Sequence, residues 1–117
     1  MTDRETKLAE TEVLFREVNE GIAAAAERFD ADEAEFVCEC GDAGCAERIE
    51  APLEEYERVR ERSDRFLLVP GHEAVALERV VARRGGYWIV EKAGETMRRI
   101  VAQLDPRRPE AQGRGAG

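Results

Sequence analysis

The apolar positions in the first part of the chain recur at helical steps. Leu8, Phe15, Val18, Ile22, Ala25 and Phe29 form one stripe, widened by Leu14 and Ala26. Glu10, Glu17, Glu20 and Glu27 mark the opposite face. Thr2-Asp3-Arg4-Glu5 has the form of a capping box, in which the Thr2 hydroxyl accepts from the Glu5 amide and the Glu5 carboxylate reaches back. Gly21 interrupts the stripe, at a cost of about 1 kcal/mol relative to alanine, and so marks a bend or a close contact. The pattern predicts a long amphipathic helix that must bury its stripe. The chain's own sheet is the default cover, and a dimer mate is the alternative.

After Asp30-Ala31-Asp32-Glu33 the period changes. That acidic run has neither the loop glycine nor the distal glutamate of an EF-hand, which excludes a calcium site of that type. Glu35 to Glu39 and Arg48 to Ala51 read as short strands. Pro52 suits a first helical position, and Leu53, Tyr56 and Val59 supply the apolar edge of the helix it starts. Glu54–Arg58 and Glu61–Arg65 are spaced for i,i+4 pairing. Arg65 to Val69 is an apolar run of strand length stopped by Pro70-Gly71.

The segment 74–84 reads either way, since Ala74, Leu77 and Val81 fit a helix. Val80-Val81, then Gly85-Gly86, then Tyr87-Trp88-Ile89-Val90 favours a hairpin. Strand alternation makes Trp88 a core residue, and an anchor for a partner is the alternative. Met97, Ile100, Val101 and Leu104 predict a last amphipathic helix. The order is helix, two strands, helix, three strands, helix. It predicts an α+β fold in which a long N-terminal helix packs on a small, mainly antiparallel sheet. Residues 1–105 form a single domain in this reading, and the Pro/Gly/Arg-rich residues 106–117 form a disordered tail.

Composition narrows the function classes. Hydrophobic residues make up 43%, enough for a core in a chain of 117 residues, while charged residues reach 38%. The net charge of −8 excludes non-specific nucleic-acid binding, which needs cations to displace counterions from phosphates. The charge is uneven, with eleven acidic and four basic side chains in residues 1–35. A solubilising helix face explains this imbalance, and a basic protein partner is the alternative. Arg58, Arg62 and Arg65 fall on one side of the predicted second helix, with Arg60 nearby, and Arg79, Arg83 and Arg84 lie further along the chain. Their interspersed glutamates favour a salt-bridged solvent face over a phosphate or acidic-partner site. No apolar run has the length of a signal peptide or a membrane span, so a cytoplasmic, non-membrane protein is expected, as monomer or homodimer.

The candidate chemistry lies in Phe36 to Cys45. All three cysteines, Cys38, Cys40 and Cys45, fall in this stretch, and the only histidine, His72, follows in Val69-Pro70-Gly71-His72-Glu73. A reducing compartment and an odd cysteine count exclude a disulfide framework. Three thiols and one imidazole are a full tetrahedral set for zinc. Cys38 and Cys40 alternate to one face of an extended strand, their Cα atoms about 6–7 Å apart. Gly41 and Gly44 permit the bend that returns Cys45 to the same metal.

Asp42 and Glu73 are the alternative fourth ligands. The other readings are unligated reduced thiols, or a thiol switch through a Cys40–Cys45 disulfide. A complete protein ligand set closes the site and makes it structural, whereas a hydrolase needs an open position and a base such as Glu39 or Glu73. No nucleophile motif, phosphate-cradling loop or HExxH is present.

Several phrases together, Phe15-Arg16-Glu17-Val18-Asn19-Glu20, Phe36-Val37-Cys38-Glu39-Cys40, Tyr56-Glu57-Arg58-Val59-Arg60, Arg65 to Glu73 and Val90-Glu91-Lys92, resemble a family of short uncharacterised bacterial proteins. The resemblance spans about residues 12–105. It implies that the cysteine cluster and the Pro-Gly-His turn occur together, and it implies no activity. The sequence thus points to a small binding or regulatory module with a structural zinc site. A redox- or zinc-sensing thiol regulator is the second reading, and a zinc hydrolase the third.

Overall fold

In the computed structural model, which describes residues 3–108, eight elements follow one another. They are α1 (Asp3–Arg28), β1 (Glu33–Val37), β2 (Arg48–Pro52), α2 (Leu53–Val59), β3 (Arg65–Leu68), β4 (Glu78–Arg83), β5 (Trp88–Lys92) and α3 (Glu95–Leu104). The α+β order read from the sequence is the order observed. Within segment 74–84, a turn in which the Leu77 and Glu78 amides donate to the Ala74 carbonyl leads into Glu78–Arg83, the first strand of a hairpin, and the Arg84 amide donates to the Tyr87 carbonyl at 2.8 Å. Thr2 of the predicted capping box and residues 109–117 lie outside the described residues.

The strands form two antiparallel sheets, β1–β2 and β3–β5–β4, where the sequence pointed to one. In the first, the register pairs Ala34 with Ala51 and Phe36 with Ile49. Period-two alternation then puts Phe36, Ile49 and Ala51 on the buried face. In the second, β5 is central and pairs Phe66 with Val90 and Leu67 with Ile89. Phe66, Leu67 and Leu68 are all fully buried, as a strand covered on both faces requires. Tyr56 of α2 stacks on Phe36 at 4.6 Å between ring centroids and joins the helix to the first sheet. Met97 and Val101 bury the inner side of α3.

α2 is shorter than the arginine pattern implied. It ends at Val59, so Arg65 belongs to β3 and pairs with Glu91 rather than Glu61. Pro52 ends β2 and caps α2 from one position earlier than expected. Trp88 is half-buried, with the Arg83 guanidinium 4.9 Å above its ring.

The largest departure from the sequence pattern concerns α1. Its helical extent is as read, but its docking face is rotated, with Leu8 and Ile22 of the stripe still packed on the core. Ala9, Val13, Ala23 and Ala26 are buried together with Glu12, Arg16 and Asn19. Leu14, Val18 and Phe29, assigned to the stripe, are exposed. Small alanines allow close approach, and the polar residues between them find partners beneath the helix. Arg16 donates to the Ser63 and Arg65 carbonyls and lies 3.8 Å from the centre of the Phe66 ring. Lys92 is fully buried and holds Glu12 of α1 and Glu78 of β4. A count of apolar positions cannot register a helix face whose polar residues find partners inside.

The C-terminus of α1 is a Schellman motif. The Ala31 amide donates to the Ala26 carbonyl at 2.9 Å and the Asp30 amide to Glu27 at 3.2 Å. Asp30, at φ 56°, occupies the left-handed position that glycine usually fills. At the other end of the fold, Asp105 closes α3 by accepting two hydrogen bonds from the buried Arg60. Arg107 then reaches Glu20 and Glu57.

Candidate metal centre

β1 stops at Val37, two residues before the predicted strand end, yet the backbone stays extended through the first two cysteines. The Cys38 amide donates to Glu47 at 3.1 Å and the Glu39 amide to Leu67 at 2.8 Å, on opposite sides. The side chains alternate accordingly. Cys38 and Cys40 share one face, and Glu39 points the other way into the core. There its carboxylate accepts from Asn19 Nδ2 at 2.9 Å and from the Leu67 amide at 3.0 Å. Asn19 also exchanges two hydrogen bonds with the Val37 backbone.

Cys45 is brought back by a tight turn in which its amide donates to the Asp42 carbonyl at 3.0 Å. The Asp42 side chain accepts from the Gly44 amide at 2.9 Å, an Asx turn. Gly41 has a different role from the one its position suggested. It does not adopt a positive φ; instead, a Cβ built on it would meet Leu8 Cδ1 at 1.8 Å. The Leu8 side chain of α1 lies directly on the backbone there.

His72 is presented by a turn with the signature of type II. Pro70 precedes Gly71 at φ 89°, and the His72 amide donates to the Val69 carbonyl at 3.0 Å. Imidazole Nδ1 then stands 3.7 Å from Cys38 Sγ and 3.7 Å from Cys45 Sγ. The three sulfurs and a ring nitrogen all lie within 4.8 Å of one another. With metal–sulfur bonds of about 2.3 Å and metal–nitrogen bonds of about 2.0–2.1 Å, the edges of a regular tetrahedron are about 3.6–3.8 Å. The four donors fit that figure with small adjustments. Their residue types, three thiols and one imidazole, are a soft-to-borderline set that suits zinc.

The surroundings shape the donors. Cys38 and Cys40 are buried, Cys45 is half-buried and His72 is exposed. Burial pushes the Cys38 thiol up, the Val69 amide partly offsets this, and the neighbouring thiols raise it further. Burial likewise raises Cys40, against a backbone hydrogen bond from Asp42. The Val69 amide lies 3.2 Å from Cys38 Sγ, so a backbone donor stands ready to support charge on that sulfur.

All four residues singled out from the sequence are brought together. Asp42 serves the turn and does not join the group, and neither does Glu73. Glu39, considered as a base, faces away from the cluster. Glu39 and Asn19 are the positions that motif reading undervalued, although period-two alternation through Cys38-Glu39-Cys40 was the available signal. A groove of about 910 Å³ is bordered by Gly41, residues 74–77 and the start of α1, and no cluster residue lines it. Most of the arginines take the salt-bridged reading, Arg58 with Glu54, Arg62 with Asp64 and Arg79 with Glu91, while Arg83 lies over Trp88. No helix among the described residues is long and apolar enough to cross a membrane. Compared with family models, curated proteins and solved structures, the chain matches none.

Proposed function

We propose that this protein is a small binding or regulatory module stapled by one structural zinc ion on Cys38, Cys40, Cys45 and His72. The observation that carries the reading is the convergence of four donor atoms within 4.8 Å from two turns 27 residues apart. Zinc bound there supplies a cross-link between the cysteine turn and the Pro-Gly-His turn. Four protein donors leave no coordination position for water, which favours a structural over a hydrolytic role.

The residues on either side of Cys40 explain what the staple would hold. Glu39 engages Asn19 and Gly41 lies against Leu8, both on α1. Ligation of Cys40 therefore orders the backbone on which α1 rests.

A redox-labile version of the same site is the second reading, and one observation favours it. Cys45 is the most accessible of the three sulfurs and lies within 4.8 Å of the others, so oxidant can enter there and close a disulfide in place of metal ligation. Elemental analysis of protein purified without chelator tests the zinc reading. The expected result is near one equivalent of zinc, with cobalt substitution giving a tetrahedral thiolate spectrum. Less than about 0.2 equivalent, together with unchanged folding of Cys45→Ser, overturns it. Reversible zinc release under mild peroxide, with a disulfide found by mass spectrometry, selects the redox version.

A further inference from the structure

The outward face of α1 goes beyond the metal site. Leu14, Val18 and Phe29 are 58%, 46% and 79% exposed. At about 100° per residue they fall within an arc of about 60°, on the side of the helix away from Ala9, Arg16 and Ala23. From Leu14 to Phe29 this ridge runs about 22 Å at the helical rise. Gly21 sits beside it with nothing within 4 Å of the Cβ it lacks, so another backbone can come close there.

The charges around the ridge are mostly acidic. Glu10 and Glu17 flank it and Asp30, Asp32 and Glu33 lie just beyond it, all exposed, against Arg4, Lys7 and Arg28 on the same side. None of these acids enters an ion pair among the described residues. Several acids elsewhere are paired, Glu54 with Arg58, Glu57 with Arg107, Asp64 with Arg62 and Glu91 with Arg79. A second copy would set these acids against their own kind, in a segment that holds eleven acidic and four basic side chains.

We propose that the outer face of α1 is a docking surface for a basic amphipathic helix of another protein. The partner's aliphatic row lies along Leu14, Val18 and Phe29. Its lysines or arginines meet Glu10 and Glu17 on one flank and the acids after the helix at the far end. A helix is the fitting shape because a straight ridge with a gap at Gly21 accepts the side-chain ridges of a second helix.

The test uses the full chain with its metal content measured, and a labelled synthetic helical peptide carrying leucines at three- and four-residue spacing and lysines elsewhere. Fluorescence anisotropy is expected to show saturable one-to-one binding in the micromolar range. Leu14→Gln/Val18→Gln weakens it at least tenfold, and so does Glu10→Gln/Glu17→Gln, a variant that leaves the apolar ridge intact. Circular dichroism and metal content of both variants stay at wild-type values, which separates this result from failure of the zinc reading. A peptide of the same composition with scrambled spacing binds at least tenfold more weakly. Equal binding of the scrambled peptide, equal binding to both variants, or no saturable binding overturns the proposal. So does a dimer in sedimentation that Leu14→Gln/Val18→Gln dissociates, which assigns the face to a second copy.

Discussion

The cysteine corner and the charged interior beneath α1 hold the same chain together in opposite ways. At the corner, three of the four donors come from eight consecutive residues and the fourth from one turn. The donors are soft, and a single ion would satisfy all of them. Beneath α1, Glu12, Glu78 and Lys92 come from three distant elements and neutralise one another without any ion. Glu39 stands at the join, between two cysteines in sequence and under Asn19 in space. The difference teaches that donors from neighbours in sequence can be closed by one ligand, whereas a site built from distant segments depends on the fold.

Removing the ligand should give the largest effect. Chelation of the metal-loaded chain is expected to lower Tm by about 15 °C or more, with amide exchange rising first in residues 38–47 and in the α1 turns over Leu8 and Asn19. Differential scanning calorimetry with exchange mass spectrometry reads both. Unchanged Tm and exchange would mean that the corner closes without metal.

The charged interior is broken next by Lys92→Met, which leaves the buried Glu78 carboxylate beside Glu12 without its cation and costs about 3–5 kcal/mol in urea unfolding at neutral pH. The loss should shrink as acid protonates Glu78. Glu12→Gln should behave otherwise. Burial, then Glu78, hold the Glu12 carboxyl well above the ordinary range, only partly offset by Lys92. Its Oε2 is also buried without a hydrogen-bond partner, which a retained proton tolerates better than a charge. Because the folded value exceeds the unfolded one, this group's contribution is complete below the unfolded value and is lost as pH rises through the folded one. Glutamine keeps the neutral form, so stability at neutral pH should stay within about 1 kcal/mol of wild type and fall less steeply on the alkaline side. An unchanged alkaline limb would show that Glu12 is ionised throughout.

The contact that couples the two regions is probed by Gly41→Ala. Displacing Leu8 should cost about 1–2 kcal/mol, and the double variant with Leu8→Ala should cost less than the two single changes added. Additivity would remove α1 from the account of the corner. The smallest change is Asp30→Gly at the end of α1. Relief of the left-handed strain is expected to raise stability by about 0.5 kcal/mol in the same urea assay.

The helix of Asp3–Arg28, the hairpin around Gly85-Gly86 and the four cluster residues were legible because their signals are local. Periodicity, turn glycines and ligand chemistry act over a few residues. The orientation of α1 was hidden for the opposite reason. Leu14, Val18 and Phe29 look like a core stripe, while Glu12, Arg16 and Asn19 look like surface, and hydropathy assigns each residue without its partner.

By itself, then, the sequence determined the order of elements, the α+β class and the set of donors that could share a metal. Only the tertiary structure decided which side of α1 is inside, why Gly41 is glycine, and that Glu39 turns from the cluster to brace the helix. The physical reason is that burying a charged group is prohibitive alone and acceptable when paired. Pairing between residues such as Glu12 and Lys92, 80 positions apart, exists only once the chain has folded.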